Sequence, residues 1–461
     1  MKKLLISGTM SGSGKTTVSS ILMSALENVA PFKIGPDYID PGYHELFTGN
    51  RSYNLDAFMH DEQTLKNIFE INSIGKDISI VEGVMGLYDG LGHERDNCST
   101  AHVARILDIP VILVVNAKGI STSIAAEILG FKLFDENVRI KGVILNNVSS
   151  EKLYLSLKEA IERYTGIECV GYIPRDERLS SESRHLGLKQ ASEITSSKEI
   201  QERREFFKKV GTKSLNLDRI MEIANNFETD VKMEDFKGIG KLKDKYVGKK
   251  IAVARDGAFS FYYNSNMDLI RYCGFEIVEF SPVKDEKVPE DVFLIYLGGG
   301  YPELYAKELS ENRSMIESIR DAHAKGVKIY AECGGFIYLT RRLKLLNGES
   351  YKLANILDLE ISMKDRLNIG RFGYIDIECG KRDSESKILK TRGHEFHYSE
   401  ITENNESFED EDKGCTYFYN ITKNDGRSWK CGYRKKSTLA GYPHISFLSN
   451  LEFFRYIVEY L

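Results

Sequence analysis

The chain has 461 residues, 42% of them hydrophobic and 28% charged, with a net charge of −5. The length exceeds what one hydrophobic core usually serves, so we expect two or three domains in a folded, soluble protein. Acidic and basic residues are interleaved without a basic stripe, which argues against nucleic-acid and membrane partners. The opening segment is too short and glycine-broken for a secretion signal, so we expect a cytoplasmic protein.

Strand-like runs alternate with helical patterns through the first 175 residues. The runs are KLLISG, FKIG, ISIVEG, PVILVVNA and KGVILNNV. This alternation predicts a parallel sheet with helices on both faces. The pattern then becomes helical and charged and ends in FKGIGKLKDKYVGKK, which is the best linker candidate. We therefore predict a first domain over residues 1–240.

The same alternation restarts after this segment. The runs are KKIAVARD, FEIVEFSP, VFLIYLGGG and GVKIYAECGG. They predict a second α/β domain over residues 249–461. The seven cysteines are scattered and show no C-x-x-C spacing, so neither a disulfide framework nor a zinc site is indicated.

A glycine-rich loop follows the first predicted strand in the segment ISGTMSGSGKTT. The order of strand, glycine loop and helix is that of a P-loop, whose backbone N–H groups surround a triphosphate. Lys15 would reach the β- and γ-phosphates and Thr16 would ligate Mg²⁺, although Thr9 replaces the first glycine of the strict motif. A turn that only caps a helix is the alternative. The predicted nucleotide-binding residues are Gly12, Gly14, Lys15, Thr16 and Thr17.

Carboxylates follow two of the predicted strands in the first domain. Asp37 and Asp40 flank a tyrosine in FKIGPDYIDPGYH, where they are either turn formers or groups that face the nucleotide and hold a metal. Glu82 ends the strand in ISIVEGVMGLYDG, as a Walker B-type carboxylate would, and Asp89 lies seven residues further on. The predicted metal ligands are Thr16, Glu82 and Asp37.

Two glycine-containing bends mark the second domain. The strand in VFLIYLGGGYPEL runs into residues 298–300, which form either a tight turn or an oxyanion hole with Gly299 and Gly300 as donors. GVKIYAECGGFIYL then places Cys333 at a second strand-to-turn bend. A nucleophile elbow needs small neighbours, and Gly335 meets that need.

A thiol nucleophile needs a base, and the C-terminal segment LAGYPHISF supplies His444. His394 and His397 in TRGHEFHYS are competing candidates. For Cys333 alone, a small buried hydrophobic residue would be the ordinary interpretation. The glycine loop upstream and the histidine downstream favour a nucleophile instead.

The motifs together resemble the cobyrinic acid a,c-diamide synthase family of glutamine-dependent corrinoid amidotransferases. The segments that carry the resemblance are GTMSGSGKTT, KIGPDYIDPGYH, VEGVMGLYDG, GGGYPEL, AECGGFIYL, RGHEFHYS and GYPH. They span essentially the whole chain. The resemblance implies an N-terminal P-loop NTPase-like domain similar to dethiobiotin synthetase and a C-terminal class I glutamine amidotransferase-like domain, both α/β.

For the second domain the resemblance implies that Cys333 attacks the carboxamide of glutamine with His444 as its base. A γ-glutamyl thioester forms and ammonia leaves. The acidic third member of the usual triad is dispensable or absent in the family, so Glu332, beside the cysteine, is given no catalytic role. His394 and His397 are expected to be structural or to face the substrate.

For the first domain the resemblance implies that Mg-ATP phosphorylates a substrate carboxylate and that ammonia then displaces phosphate. Lys15, Thr16 and Glu82 would handle the nucleotide and Mg²⁺. Five positions match family motifs that are tied to ATP use, to the phosphorylated intermediate and to the order of amidation. They are Asp37, Tyr38, Ile39, Asp40 and Asp89.

The implied reaction is the amidation of the a and c side chains of cobyrinate in cobalamin biosynthesis. Hydrogenobyrinate or nickel-sirohydrochlorin would be alternative substrates for the same chemistry. A non-catalytic, nucleotide-dependent regulatory protein is the alternative from a different class. The expected partners are a corrinoid or related tetrapyrrole, ATP and glutamine, with the chain as a monomer or homodimer.

Overall fold

The computed structural model describes residues 1–92, 94–179, 183–184, 187–188, 197–380, 388–404 and 415–461. The chain divides into two compact units, Met1–Phe236 and Lys237–Leu461. The Gly/Lys-rich segment after residue 236 packs within the second unit. Ile239 is fully buried there, and the ring of Tyr246 stacks on Phe275 with centroids 4.5 Å apart.

The first unit contains ten strands and eight α-helices within its described residues. The strands are β1 (Lys2–Gly8), β2 (Val29–Ile34), β3 (Tyr53–Leu55), β4 (Ile78–Glu82), β5 (Val111–Asn116), β6 (Ile140–Val148), β7 (Glu168–Pro174), β8 (Ser183–Arg184), β9 (Gly187–Leu188) and β10 (Asn225–Asn226). The helices are α1 (Lys15–Ala25), α2 (Ile39–Thr48), α3 (Glu62–Ser73), α4 (Thr100–Ile106), α5 (Ser123–Phe134), α6 (Glu151–Thr165), α7 (Ser197–Ser214) and α8 (Leu217–Ile223).

The first unit is built on a sheet with the order β3-β2-β4-β1-β5-β6-β7, in which these seven strands are parallel. The short strand β10 adds antiparallel to β1. Leu4, Leu5 and Ile6 of β1 are all fully buried. Successive side chains of a strand point to opposite faces, so both faces of the sheet are covered. The carboxyl ends of β1, β2 and β4 therefore meet at one edge, where nucleotides bind in such sheets.

The second unit contains fourteen strands and five α-helices within its described residues. The strands are β11 (Lys250–Ala254), β12 (Glu276–Phe280), β13 (Val292–Leu297), β14 (Lys328–Glu332), β15 (Thr340–Lys344), β16 (Ser350–Lys352), β17 (Leu357–Met363), β18 (Gly373–Cys379), β19 (Leu389–Glu395), β20 (Ser399–Asn404), β21 (Thr416–Thr422), β22 (Ser428–Lys435), β23 (Thr438–Gly441) and β24 (His444–Ile445). The helices are α9 (Asn264–Tyr272), α10 (Ala306–Glu311), α11 (Arg313–Ala324), α12 (Gly334–Leu339) and α13 (Leu451–Arg455).

The main sheet of the second unit has the order β12-β11-β13-β14-β23-β22-β21-β18-β19-β24. Its first five strands pair in parallel, and the remaining pairs are antiparallel. A smaller sheet has the order β16-β15-β17-β20. Strand β14 is central in the parallel part, and α12 begins two residues after its last residue.

Among the helices of the described ranges, none is both long enough and apolar enough to cross a membrane.

Candidate functional site

The loop between β1 and α1 has the backbone geometry of a phosphate-binding turn. Gly12 and Gly14 have φ values of 77° and 105°, which side chains rarely adopt. A Cβ at Gly14 would lie 1.9 Å from Nδ2 of Asn146, so the position requires glycine. The ammonium of Lys15 donates to the carbonyl of Met10 at 3.2 Å. Burial, followed by the charge of a neighbouring lysine, lowers the pKa of Lys15 to about 8. An anion at the helix N-terminus would stabilise this cation.

A buried charge network surrounds Glu82, the last residue of β4. Its Oε1 accepts from the hydroxyl of Thr16 at 2.7 Å and from the ammonium of Lys33 at 2.8 Å, and its Oε2 lies 2.8 Å from Nε2 of His44. Lys33 also pairs with Oδ2 of Asp40 at 2.6 Å. Burial opposes ionisation of Glu82, but Lys33 and then His44 hold its pKa well below the usual range. An ionised carboxylate thus touches the threonine of the loop.

The register of the sheet explains this network. Lys33 on β2 is paired with Glu82 on β4, so the two side chains leave the sheet on the same face. Sequence reasoning singled out neither Lys33 nor His44. A lysine inside the otherwise apolar strand FKIG was the available signal, because a fully buried lysine requires a partner.

Asp37 and Asp89 contact residues close to them in the chain, whereas Thr17 contacts a distant segment. Oδ1 of Asp37 accepts from the N–H of Ile39 at 2.8 Å, which is the contact of a turn-forming aspartate, and Tyr38 immediately precedes α2. Oδ2 of Asp89 accepts from the backbone N–H three residues before it at 2.7 Å. A backbone hydrogen bond of 2.9 Å joins the same loop to the last residue of β1. The hydroxyl of Thr17 donates to a backbone carbonyl at 3.4 Å.

The same edge of the sheet offers ligands for a small cation. The parts of the chain that the structure describes hold no cluster of three or more His, Cys, Asp or Glu side chains suited to a metal. Thr16 and Glu82 supply two oxygen donors in contact with each other. Mg²⁺ characteristically takes one or two protein oxygens and completes its shell with phosphate and water, so this donor set fits it.

In the second unit Cys333 occupies a strained bend between β14 and α12. Its φ and ψ are 44° and −99°, a conformation that is uncommon for a residue with a side chain. A Cβ at Gly335 would lie 2.2 Å from the carbonyl oxygen of Leu297, and one at Gly334 would lie 3.0 Å from a backbone nitrogen. The N–H of Cys333 donates to the carbonyl of Gly441 at 2.8 Å. Close packing therefore requires glycine at position 335 and leaves little room at position 334, as expected for a nucleophile elbow.

The glycine loop at residues 298–300 lies against both the elbow and the histidine. The N–H of Gly335 donates to the carbonyl of Gly298 at 2.9 Å. A Cβ at Gly299 would lie 2.3 Å from Cε1 of His444. Gly300 has φ of 154°, and a Cβ there would lie 2.1 Å from the carbonyl oxygen of Ala258. The fold therefore gathers the three predicted features of the second unit in one place.

The three candidate histidines have different surroundings. The ring of His394 lies 5.0 Å from that of His444, centroid to centroid. Nδ1 of His397 contacts the carbonyl of Ser399 at 2.8 Å, its Nε2 lies 3.4 Å from a carboxylate oxygen of Glu395, and its ring stacks on Tyr442 at 3.7 Å. His397 is thus held at both ring nitrogens, whereas His444 is the histidine in contact with the glycine loop.

Burial keeps the cysteine and histidine of this site neutral. It raises the pKa of the Cys333 thiol, with smaller contributions from Glu303 and Glu395. It also brings the pKa of His444 well below the usual range, helped by two neighbouring histidines. A neutral imidazole can accept the proton of a neutral thiol, and this pair is the starting state of general-base activation.

The two units thus present a phosphate-binding loop with an acidic strand end and a cysteine elbow beside a glycine loop and a histidine. A folded chain with both sites falls in the class of glutamine-dependent amidotransferases that carry their own nucleotide-binding domain.

Comparison with known proteins identifies the family. Residues 4–188 match the CobQ/CobB/MinD/ParA nucleotide binding domain, and residues 250–451 match the CobB/CobQ-like glutamine amidotransferase domain. The cobyrinate a,c-diamide synthase of Fusobacterium nucleatum is 48% identical over 458 residues, which cover 98% of this chain and 99% of that protein. The one of Listeria innocua is 43% identical over 459 residues, or 98% of this chain and 97% of that protein.

The chain belongs to the cobyrinate a,c-diamide synthase family. It is therefore an enzyme of the carbon–nitrogen ligase class, with one nucleotide-binding domain and one glutamine amidotransferase domain. The family resemblance and the fold class inferred from the sequence are both confirmed.

Proposed function

We propose that this enzyme amidates the a and c side-chain carboxylates of cobyrinate in cobalamin biosynthesis, with ATP as co-substrate and glutamine as nitrogen donor. The proposal is supported by relatives that match 98% of the chain and are named cobyrinate a,c-diamide synthases. The observation that carries it is the presence, on one chain, of a cysteine elbow and a histidine, His444, that both contact one glycine loop, and of a P-loop threonine that contacts Glu82.

Glutamine hydrolysis is assigned to the second unit. His444 accepts the thiol proton as the sulfur of Cys333 attacks the side-chain carbonyl of glutamine. The N–H groups of Gly299 and Gly300 donate to the oxyanion of the tetrahedral intermediate. The intermediate expels ammonia, which takes the proton from the imidazole, and water then hydrolyses the thioester to glutamate.

Carboxylate activation is assigned to the first unit. Oxide is a very poor leaving group, so a carboxylate accepts ammonia only after the γ-phosphoryl group of ATP has been transferred to it. Lys15 and the N–H groups around Gly12 and Gly14 neutralise the phosphates. Mg²⁺, held by Thr16 and Glu82 with Asp37 as a further candidate, would supply compensating positive charge there.

Four motif positions of the first unit are assigned to binding the substrates and to setting the order of the two amidations. They are Tyr38, Ile39, Asp40 and Asp89. Asp40 is held by Lys33 within the Glu82 network, and Asp89 shapes the loop that is bonded to β1. These contacts support roles in shaping the acyl-phosphate site.

The substrate is tested by supplying cobyrinate, hydrogenobyrinate or nickel-sirohydrochlorin with ATP, Mg²⁺ and glutamine, and by separating the amidated products by mass spectrometry. We expect two successive amidations of cobyrinate and a lower kcat/KM for the other two tetrapyrroles. Faster turnover of one of those two tetrapyrroles would identify it as the substrate instead of cobyrinate. No amidation and no release of glutamate in any mixture would indicate the regulatory alternative.

Replacing Gly299 with alanine tests the glycine loop. The new methyl group would lie 2.3 Å from Cε1 of His444 and force the imidazole to move. A displacement of about 1 Å costs about 10²-fold in rate, so we expect glutamine-supported amidation to fall by that factor while ammonia-supported amidation is unchanged. Gly240→Ala is the matched control, because a Cβ there meets nothing within 4 Å. Unchanged glutamine hydrolysis in Gly299→Ala would show that this loop is not part of the glutamine site.

A further inference from the structure

Glu332, the residue before the elbow cysteine, is a carboxylate in the core of the second unit. It is only 1% exposed, although charged side chains are rarely buried to this extent without partners. Its Oε1 accepts from the hydroxyl of Tyr330 at 2.7 Å and from the N–H of Ile445 at 3.1 Å. Its Oε2 accepts from the hydroxyl of Tyr296 at 3.1 Å. The carboxylate is therefore satisfied by three donors, and one of these belongs to the strand that carries His444.

The elbow holds both ends of the short segment that contains His444. Glu332 pairs with Gly441 across β14 and β23, and the N–H of Cys333 donates to the carbonyl of Gly441 at 2.8 Å. At the other end, the carboxylate of Glu332 accepts from the N–H of Ile445. His444 lies between these two attachment points. Two adjacent residues, one of them the nucleophile, thus set the position of this segment.

Further contacts hold the strand that carries His444. Strand β24 is two residues long and pairs with β19 at Gly393 and His394. On the side opposite Glu332, the carbonyl of Ile445 accepts from Nδ2 of the buried Asn266 at 3.0 Å. Oδ1 of Asn266 accepts from the N–H of Phe447 at 2.7 Å. Buried side chains therefore bind both the N–H and the carbonyl of Ile445, the residue that follows the histidine.

We propose that Glu332 is a positioning residue for glutamine hydrolysis, which fixes the imidazole of His444 against the Cys333 thiol through its hydrogen bond to Ile445. Asn266 completes the clamp from the other side of the same residue. The inference rests on the proposed function, in which Cys333 and His444 hydrolyse glutamine. It assigns the buried carboxylate the orienting task that an acidic triad member performs elsewhere, but through the backbone and not through the ring.

The physical reason lies in the precision that the reaction needs. A proton moves from sulfur to imidazole only when the two groups are within hydrogen-bond reach. A two-residue strand forms few ladder bonds, so the hydrogen bonds that bind Ile445 add to the contacts that fix the ring. Glu332 is adjacent to the nucleophile in the chain. The hydrogen bond to its side chain therefore links the position of the elbow to the strand of the histidine. An apolar residue at position 332 would fill the same space without that connection.

The test compares Glu332→Met with Glu332→Gln in the full-length enzyme. Methionine has similar length and no strong acceptor, whereas glutamine retains one carbonyl oxygen for the N–H of Ile445. The assay measures kcat and KM for glutamate release at about pH 8, above the pKa of Glu332, which burial raises to about 7. Ammonia-supported amidation and the melting temperature are measured on the same samples.

We expect Glu332→Met to lower kcat for glutamine by about 10²-fold with little change in KM, and Glu332→Gln to recover most of that loss. Ammonia-supported amidation stays at the wild-type rate in both. Tyr330→Phe is the matched control, because it removes a hydrogen bond to the carboxylate and leaves the contacts of Ile445 with Glu332 and Asn266 in place. It should lower the melting temperature without lowering kcat.

Several outcomes would overturn the inference. Wild-type kcat in Glu332→Met would do so, as would an equal loss of kcat in Tyr330→Phe, since the effect would then belong to core packing. If Glu332→Met does not fold, Asn266→Ala replaces it, and wild-type kcat in that variant contradicts the clamp. Absence of glutamate release from the wild-type enzyme would instead refute the proposed function, so the two failures are distinct.

Discussion

Replacing Cys333 with alanine is expected to lower glutamine-supported amidation by about 10³-fold or more and to leave ammonia-supported amidation at the wild-type rate. Under the proposed function the variant cannot form the γ-glutamyl thioester, so no ammonia is produced, whereas the activation of the carboxylate is assigned to the other unit. The measurement is the rate of amide formation with saturating glutamine and, in parallel, with an ammonium salt at a pH where free ammonia is present.

Cys379→Ala is the control for this experiment. Cys379 is also a buried thiol of the second unit, but it lies in the regular strand β18. We expect it to retain both activities and to lose only the stability that a small core truncation costs. Glutamine-supported activity that survives in Cys333→Ala would mean that another group is the nucleophile. Loss of both activities would mean that the substitution perturbs more than glutamine hydrolysis.

Replacing Lys15 with methionine is expected to lower amidation from both nitrogen sources by about 10²-fold or more. The buried ammonium of Lys15, close to the start of α1, is the cation that the structure places at the phosphate-binding loop. Methionine preserves the volume of the stem and removes the charge, so the β- and γ-phosphates lose a counter-ion. Calorimetric titration with an ATP analogue and amidation with ammonium salts measure the two consequences.

Lys141→Met is the matched control, since Lys141 is an exposed lysine of the same unit in strand β6. It should bind nucleotide and amidate as the wild type does. Alkylation of Cys333 by iodoacetamide should proceed equally in both lysine variants, because the second unit is untouched. Full ammonia-supported activity in Lys15→Met would show that the loop does not serve the phosphoryl transfer.

The segments recognised from the sequence are those whose signal is local. An apolar β-branched run followed by glycines predicts a strand and a bend from a few neighbouring residues alone. Both bends were predicted on that ground, and Gly14 and Gly335 are glycines because the structure leaves no room for a Cβ at either. The family resemblance is likewise a property of short motifs taken together.

The contacts that sequence reasoning missed join residues that are far apart in the chain. Lys33 meets Glu82 only because β2 and β4 pair in one particular register. Glu332 was given no role from its position beside the cysteine, and its importance appears only when Ile445, more than one hundred residues later, donates to it. Neither pattern is periodic, so hydrophobic patterning could not reveal it.

The sequence by itself determined two α/β units, the phosphate-binding loop, the cysteine elbow and the family, because propensity, glycine placement and motif spacing act within a few residues. The tertiary structure decided which histidine contacts the glycine loop, which side chains neutralise Glu82, and how the strand of His444 is attached to the elbow. These depend on strand order and register, which arise from packing of the whole sheet. A single segment shows at most that a partner is needed, as the lysine in FKIG does, and not which residue the partner is.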